Sequence, residues 1–145
     1  MSNCQVQLIY DARDNNENAG SNFRQWIWMW ASKTTKNGKT YTKATKYQVR
    51  YDLLATPVTI NQGKLTAKTE GTKLSGGTYF NQTDPNPSVW SNPSFGTYYN
   101  KTAPAWDYVL TDGVSVGFTG AVLETNYTIR STPATLRLTI AIGTT

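Results

Sequence analysis

Asn37-Gly38 stands between two long runs of strand-forming residues, and this dipeptide constrains the chain more than any other feature. Asn and Gly both tolerate positive φ, which the two central positions of a type I′ turn require, and that turn matches the twist of two antiparallel strands. A turn there opposes Lys36 to Lys39 and makes a hairpin of residues 25–35 and 39–53. In an uninterrupted ladder Trp30 faces Thr45, Trp28 faces Tyr47, Trp26 faces Val49 and Arg24 faces Tyr51. Trp26, Trp28, Trp30, Tyr47, Val49 and Tyr51 then share one side, and Ile27, Met29 and Ala31 share the other with Ala44, Lys46 and Gln48. The first reading of so aromatic a side is the core of the protein. The functional alternative is an open platform for sugar rings or for a membrane interface.

Strand signals recur along the rest of the chain, and helical periodicity is nearly absent. Residues 4–10, 56–60, 64–69, 72–80, 105–111, 114–119, 122–130 and 134–142 read as strands, and residues 11–21 as a polar loop. Asn61-Gln62-Gly63 reads as a turn between two of them. Asp112-Gly113 reads as a second hairpin turn, which pairs Val109 with Val116 and Asp107 with Phe118 and sends Val109, Val114, Val116 and Phe118 to the core. In the last strand Leu136, Leu138, Ile140 and Ile142 alternate with Thr135, Arg137, Thr139 and Ala141, the pattern of a strand with one face buried and one wet. There is no internal repeat. These signals predict an all-β fold: one antiparallel β-sandwich or jelly roll of about 8–10 strands, spanning residues 1–145 as a single domain.

Composition narrows the chemistry. The chain of 145 residues has no His and one Cys. Without His there is no Ser-His-Asp or Cys-His arrangement and no imidazole acid or base. Cys4 alone makes neither an internal disulfide nor a cysteine-based zinc site. Acid–base catalysis would rest on carboxylates, and nothing selects a pair such as Asp84 with Glu124. Asp11, Asp14 and Glu17 lie in an oxygen-rich run without the spacing of a calcium loop, so a plain polar turn is expected. The expectation is a non-enzymatic protein with no catalytic residue, no metal and no cofactor. No apolar run is long enough for a membrane-spanning helix. The first ten residues lack the basic and apolar regions of a secretory leader, so the expected location is the cytoplasm, or outside by release without a classical signal.

Charge is concentrated. Arg24, Lys33, Lys36, Lys39, Lys43, Lys46 and Arg50 fall between residues 24 and 50 with no acid among them, whereas the whole chain is only +5. The remainder is therefore slightly acidic. Residues 32–46 hold Tyr41 as their one large apolar group and are expected to project. Lys33, Lys36, Lys39, Lys43 and Lys46 would meet an anionic surface, either lipid headgroups or an acidic glycan. Protection of a strand edge is their plainer role. Nucleic acid is not expected, because no arginine-rich arm, helix-turn-helix or RNP-type aromatic motif is present.

Residues 81–104 carry Pro85, Pro87, Pro93 and Pro104, four of the six prolines, and read as one long loop. Loops above about 15 residues are uncommon in compact domains unless functional. Trp90, Phe95, Tyr98 and Tyr99 lie here among Asp84, Asn86 and Asn92, with Trp106 at the exit. Aromatic faces stack on sugar rings and hold cationic headgroups, while amides and carboxylates bond hydroxyls, so these eight residues are the expected ligand site. The sequence thus supports a non-catalytic protein binding a glycan or lipid headgroup at a cell surface, in the manner of a lectin or a membrane-active defence toxin. The alternative is a structural subunit of a self-assembling coat, fibre or other homo-oligomer.

Overall fold

A computed structural model describes residues 4–16, 20–54, 58–111 and 117–144, with side chains from residue 23 to 143. Alternating sequence and turn residues produce ten strands in it. They are β1 (Cys4–Asn16), β2 (Gly20–Lys36), β3 (Lys39–Leu53), β4 (Val58–Thr72), β5 (Tyr79–Thr83), β6 (Ser88–Ser91), β7 (Tyr99–Thr102), β8 (Val109–Leu110), β9 (Gly117–Ile129) and β10 (Thr132–Thr144). The first sheet runs β1-β2-β3, with β7 and β8 along the free edge of β3. The second runs β10-β9-β4, with β5 and β6 along the free edge of β4. Every pairing is antiparallel and the sheets pack face to face, so the protein is the expected β-sandwich.

The core lies between Phe23, Ile27, Met29, Tyr47, Val49 and Tyr51 of the first sheet and Ile60, Leu65, Ala67, Leu123, Tyr127 and Ile140 of the second. Phe23 meets Tyr127 edge-on across the gap at 4.8 Å. Buried hydroxyls also tie the sheets: Tyr47 donates to the Gly120 carbonyl at 2.8 Å, and Tyr51 meets Thr125 at 2.9 Å. Thr125 in turn donates to Gln25 at 2.6 Å. The Gln25 amide nitrogen is buried without a described partner, a cost of about 1–3 kcal/mol that the surrounding apolar contacts offset. Burial pushes the Tyr51 hydroxyl up to about 12, against a lowering by its Thr125 hydrogen bond. The alternation expected of the last strand is observed, with Leu136, Leu138, Ile140 and Ile142 turned to the core.

The Asn37-Gly38 turn forms as expected, with both residues at positive φ and Lys36 opposite Lys39. The ladder is not uninterrupted, however. Ala31 pairs with Ala44 but Trp30 pairs with Lys46, leaving Thr45 as a bulge. One extra residue exchanges the faces of every later position on that strand. Tyr47, Val49 and Tyr51 therefore join Ile27 and Met29 in the core, while Lys46, Gln48, Arg50 and Asp52 come opposite Trp30, Trp28, Trp26 and Arg24. The expectation that the Trp side forms the core is corrected: it is the outer face. Asn61-Gln62-Gly63 is no turn either, since β4 runs straight through it with a bulge at Asn61. The 11–21 stretch is taken up largely by the facing ends of β1 and β2.

Residues 81–104 are not one long loop. They form a wall over the free edges of β3 and β4, paired as β5, β6 and β7 and broken by the prolines between them. The wall serves both bulges: Ala103 N–H donates to the Thr45 carbonyl at 3.2 Å, and Asn92 N–H to the Asn61 carbonyl at 2.8 Å. A bulge leaves a carbonyl outside its ladder, and here the wall supplies the missing donor. Asp112-Gly113, Val114 and Val116 lie outside the described residues. The described arms of that expected hairpin part company, because β8 pairs with β3 in the first sheet and β9 belongs to the second. Val109 is buried as expected. Among the described residues no helix is long and apolar enough to cross a membrane.

Candidate binding face

The register of β2 and β3 builds a ladder of aromatic rings and cations on the outer side of the first sheet. Trp26 and Trp28, two residues apart on one strand, stack at 5.6 Å and 16°. The Arg24 guanidinium lies 3.8 Å above the Trp26 ring. Arg50, opposite Trp26, sets its guanidinium 5.6 Å from Trp26, 5.4 Å from Trp28 and 5.1 Å from Tyr98. Tyr98 arrives from the wall, tilted 55° to Trp28 at 5.6 Å. Farther along, the Lys46 ammonium lies 4.6 Å over Trp30. Each such contact is worth about 0.5–1 kcal/mol at an exposed site. Together they hold half-buried indoles at the surface.

Hydrogen bonds fix the ladder's geometry. Asp52 Oδ2 accepts from Trp26 Nε1 at 2.7 Å and from Arg50 Nη2 at 2.8 Å. Arg50 Nη1 donates to the Tyr98 hydroxyl, while its Nε is covered and makes no hydrogen bond. The Asp52 carboxylate, with Tyr98 assisting, raises the Arg50 pKa above its ordinary value, so this centre stays cationic. Arg50 and Asp52 side chains remain 23% and 31% accessible, so the pair is open to solvent. Gln48 donates to Asn100 at 2.9 Å beside the ladder.

The eight residues expected to bind ligand divide unevenly. Tyr98, 49% exposed, joins the ladder. Trp90, Phe95, Tyr99 and Trp106 pack against the core, and Trp90 meets Tyr99 at 5.6 Å. Asp84 forms a buried ion pair with Lys101 at 2.8 Å, the two side chains 3% and 8% accessible. Burial opposes the charge on Asp84, but the Lys101 ammonium and the Asn86 N–H outweigh it and hold its pKa below the ordinary carboxylate value. Lys101 also donates to the Asn86 carbonyl, and Asn92 takes a positive φ in the turn that caps Asn61. These residues build the wall. The hollow beside Trp106, lined by Lys43, Tyr47, Pro104 and Asp107, measures about 10 Å³, room for one water at most. Asp84 and Glu124 have separate engagements, the second with Arg137 on the outer face of the second sheet.

The basic hairpin does not project as expected. Wall residues follow it nearly to its end: β8 pairs with Tyr41 and Thr42, and Thr111 N–H donates to the Thr40 carbonyl. Ser32, Thr34, Thr42 and Ala44 are buried, with Ser32 bonded to Tyr108. The tip at residues 35–39, with Lys36 and Lys39, is exposed, and so is Lys46 at the base of the hairpin. Lys43 lies 5.3 Å over Tyr108, Lys46 over Trp30, and Lys33 is half-buried.

Sequence reasoning weighed Arg24 and Arg50 only as charges and did not see Asp52 as the partner of Arg50 and Trp26. The signal was a one-residue slip: it sets Ile27 and Met29 against Val49 and Tyr47 and gathers Lys46, Gln48, Arg50 and Asp52 on the Trp side. No protein-family model, no curated protein and no solved structure matches this chain.

Proposed function

We propose that the protein is a non-catalytic binding module that reads a glycan or lipid headgroup at a cell surface through the outer face of its first sheet. One observation carries this reading. Trp26, Trp28 and Trp30, which a sandwich would ordinarily bury, stand half-buried on the outer face, and the described groups against their rings are one another, Tyr98 and the cations Arg24, Arg50 and Lys46. Indole and phenol rings present apolar area to the C–H face of a sugar or to a headgroup, at low conformational cost. The face is pre-organised by Asp52, so little ordering is lost on binding.

The decisive experiment measures binding of the purified chain to a glycan array and to phospholipid vesicles, beside Trp28→Ala. Binding that Trp28→Ala abolishes supports the reading; no binding to either surface ends it. A structural subunit is the second reading, favoured by β10, which pairs only with β9 among the described strands and leaves its other edge open. Light scattering separates the two: a large discrete particle or filament favours assembly, a monomer or dimer favours binding.

A further inference from the structure

The chemistry of the ladder narrows the ligand further. A neutral sugar is held mainly through its hydroxyls, which need acceptors as well as donors. On this face Asp52 Oδ2 already takes Trp26 and Arg50, Asn100 Oδ1 takes the Gln48 amide, and Asp52 is the one described carboxylate beside three cations. The donors are in surplus. Arg50 spends one N–H on Tyr98 and one on Asp52, its Nε–H is covered, and the second N–H of Nη1 and of Nη2 is left. Its neighbours Arg24 and Lys46 add positive charge over Trp26 and Trp30. A planar fork beside open aromatic faces matches a carboxylate or sulfate on a ring, where the anion meets the fork and the ring lies on the aromatic surface. A bilayer fits less well. The indoles are half-buried, and the exposed tip, Thr35-Lys36-Asn37-Gly38-Lys39, has no apolar side chain to insert.

Resting on the binding reading above, we infer that the face takes an acidic saccharide. Its carboxylate or sulfate sits at the Arg50 guanidinium, with Arg24 and Lys46 on either side, and its ring lies against the exposed side of Tyr98 next to Trp28.

Titration calorimetry tests this with a heparin-derived oligosaccharide, a dextran oligosaccharide of matched length, and phosphatidylcholine vesicles with and without phosphatidylserine. The variants are Arg50→Gln, Trp28→Ala and, for the same charge change at the hairpin tip, Lys39→Gln. Thermal melts confirm that each is folded; should Arg50→Gln not fold, Arg50→Lys replaces it, keeping the charge and losing the fork. The expected result is heparin binding weakened about tenfold or more by Arg50→Gln and by Trp28→Ala, and less than about twofold by Lys39→Gln, with dextran far weaker throughout. Equal loss in Arg50→Gln and Lys39→Gln means diffuse charge and overturns the site. Dextran binding as tightly as heparin, or vesicles binding where saccharides do not, overturns the ligand class and leaves the binding module standing. Failure of every probe takes both down.

Discussion

The outer face of the first sheet carries Trp26, Trp28, Trp30, Arg24 and Arg50; that of the second, across the same core, carries Lys64, Thr66, Lys68, Glu124 and Arg137. The frames beneath are alike. Each sheet has a central strand with one bulge, two short strands along its free edge, and a wall N–H closing the bulge carbonyl. The difference lies in what the side chains do with charge. On the second sheet Lys64, Glu124 and Arg137 form one row across three strands, so opposite charges face each other over a shallow hollow of about 240 Å³. On the first, cations are laid over aromatic rings and a single described carboxylate, Asp52, anchors them. The second arrangement is complete in water. The first keeps aromatic area and unspent N–H donors of Arg50 at the surface.

The largest expected effect tests whether the two faces share one foundation. Asp84 follows β5 of the second sheet and Lys101 lies in β7 of the first, so their ion pair ties the sheets through the wall. Asp84→Asn leaves a buried ammonium without its counter-ion and should cost about 3–5 kcal/mol in urea titration. Fluorescence, dominated by Trp, and far-ultraviolet dichroism should lose structure together; separate transitions would mean that the two sheets unfold independently. The acid limb follows the same pair. Asp84 has a depressed pKa, so its stabilisation is present above the ordinary carboxylate value of about 4 and is lost as pH falls through the folded value. Asp84→Asn should flatten that limb.

A second tie is steric. A Cβ at Gly63 of β4 would overlap the Tyr51 hydroxyl of β3. Gly63→Ala forces Tyr51 aside, breaks its bond to Thr125, and should cost about 1–3 kcal/mol in the same titration. Tyr51 also sets an alkaline limit. Its neutral phenol stabilises the fold fully below the ordinary tyrosine pKa of about 10, and that contribution fades as pH rises toward about 12. A wild-type stability curve level across that range would show that the Tyr51 hydroxyl is not held neutral between the sheets.

A third measurement separates the faces themselves. Trp28→Ala removes ring contacts with Trp26, Tyr98 and Arg50 and should cost about 1–2 kcal/mol. Thr66→Ala, on the second face, should stay within about 0.5 kcal/mol. Equal costs would erase the contrast, because the aromatic ladder would then contribute no more order than a row of solvated threonines.

How far all this was legible in the sequence depends on scale. Turn chemistry at Asn37-Gly38 and alternation from Leu136 to Ile142 are local, and both appear where expected. The bulge at Thr45 is not local. It becomes favourable only when Ala103 of the wall supplies a donor to the Thr45 carbonyl, from residues far along the chain. That one residue decides whether three Trp side chains point inward or outward, so the candidate face was out of reach while its component residues were plain. The wall was missed for the opposite reason: its prolines signal a loop, yet the short stretches between them pair with edges that a one-dimensional reading does not see. Of the residues gathered there for binding, only Tyr98 reaches the ladder, since Trp90, Tyr99 and Trp106 are used in closing the side of the sandwich.

The smallest effect sharpens the comparison most, because it sets one ion pair against another. Glu124 and Arg137 meet at 3.3 Å with side chains 40% and 68% accessible, whereas Arg50 and Asp52 meet at 2.8 Å with less than half that exposure on the arginine. Exposed pairs gain little over hydration, so Glu124→Gln should shift stability by less than about 0.5 kcal/mol and fade further in salt. Asp52→Asn should cost about 1–2 kcal/mol, since it weakens hydrogen bonds to both Trp26 and Arg50 and frees the guanidinium from its place among the rings. Double-mutant cycles over the two pairs measure the difference directly. Equal coupling in the two cycles would mean that Asp52 is an ordinary surface carboxylate and that the ladder is not pre-organised. A larger coupling at Arg50–Asp52 makes that carboxylate the residue that keeps Trp26 and the guanidinium in place.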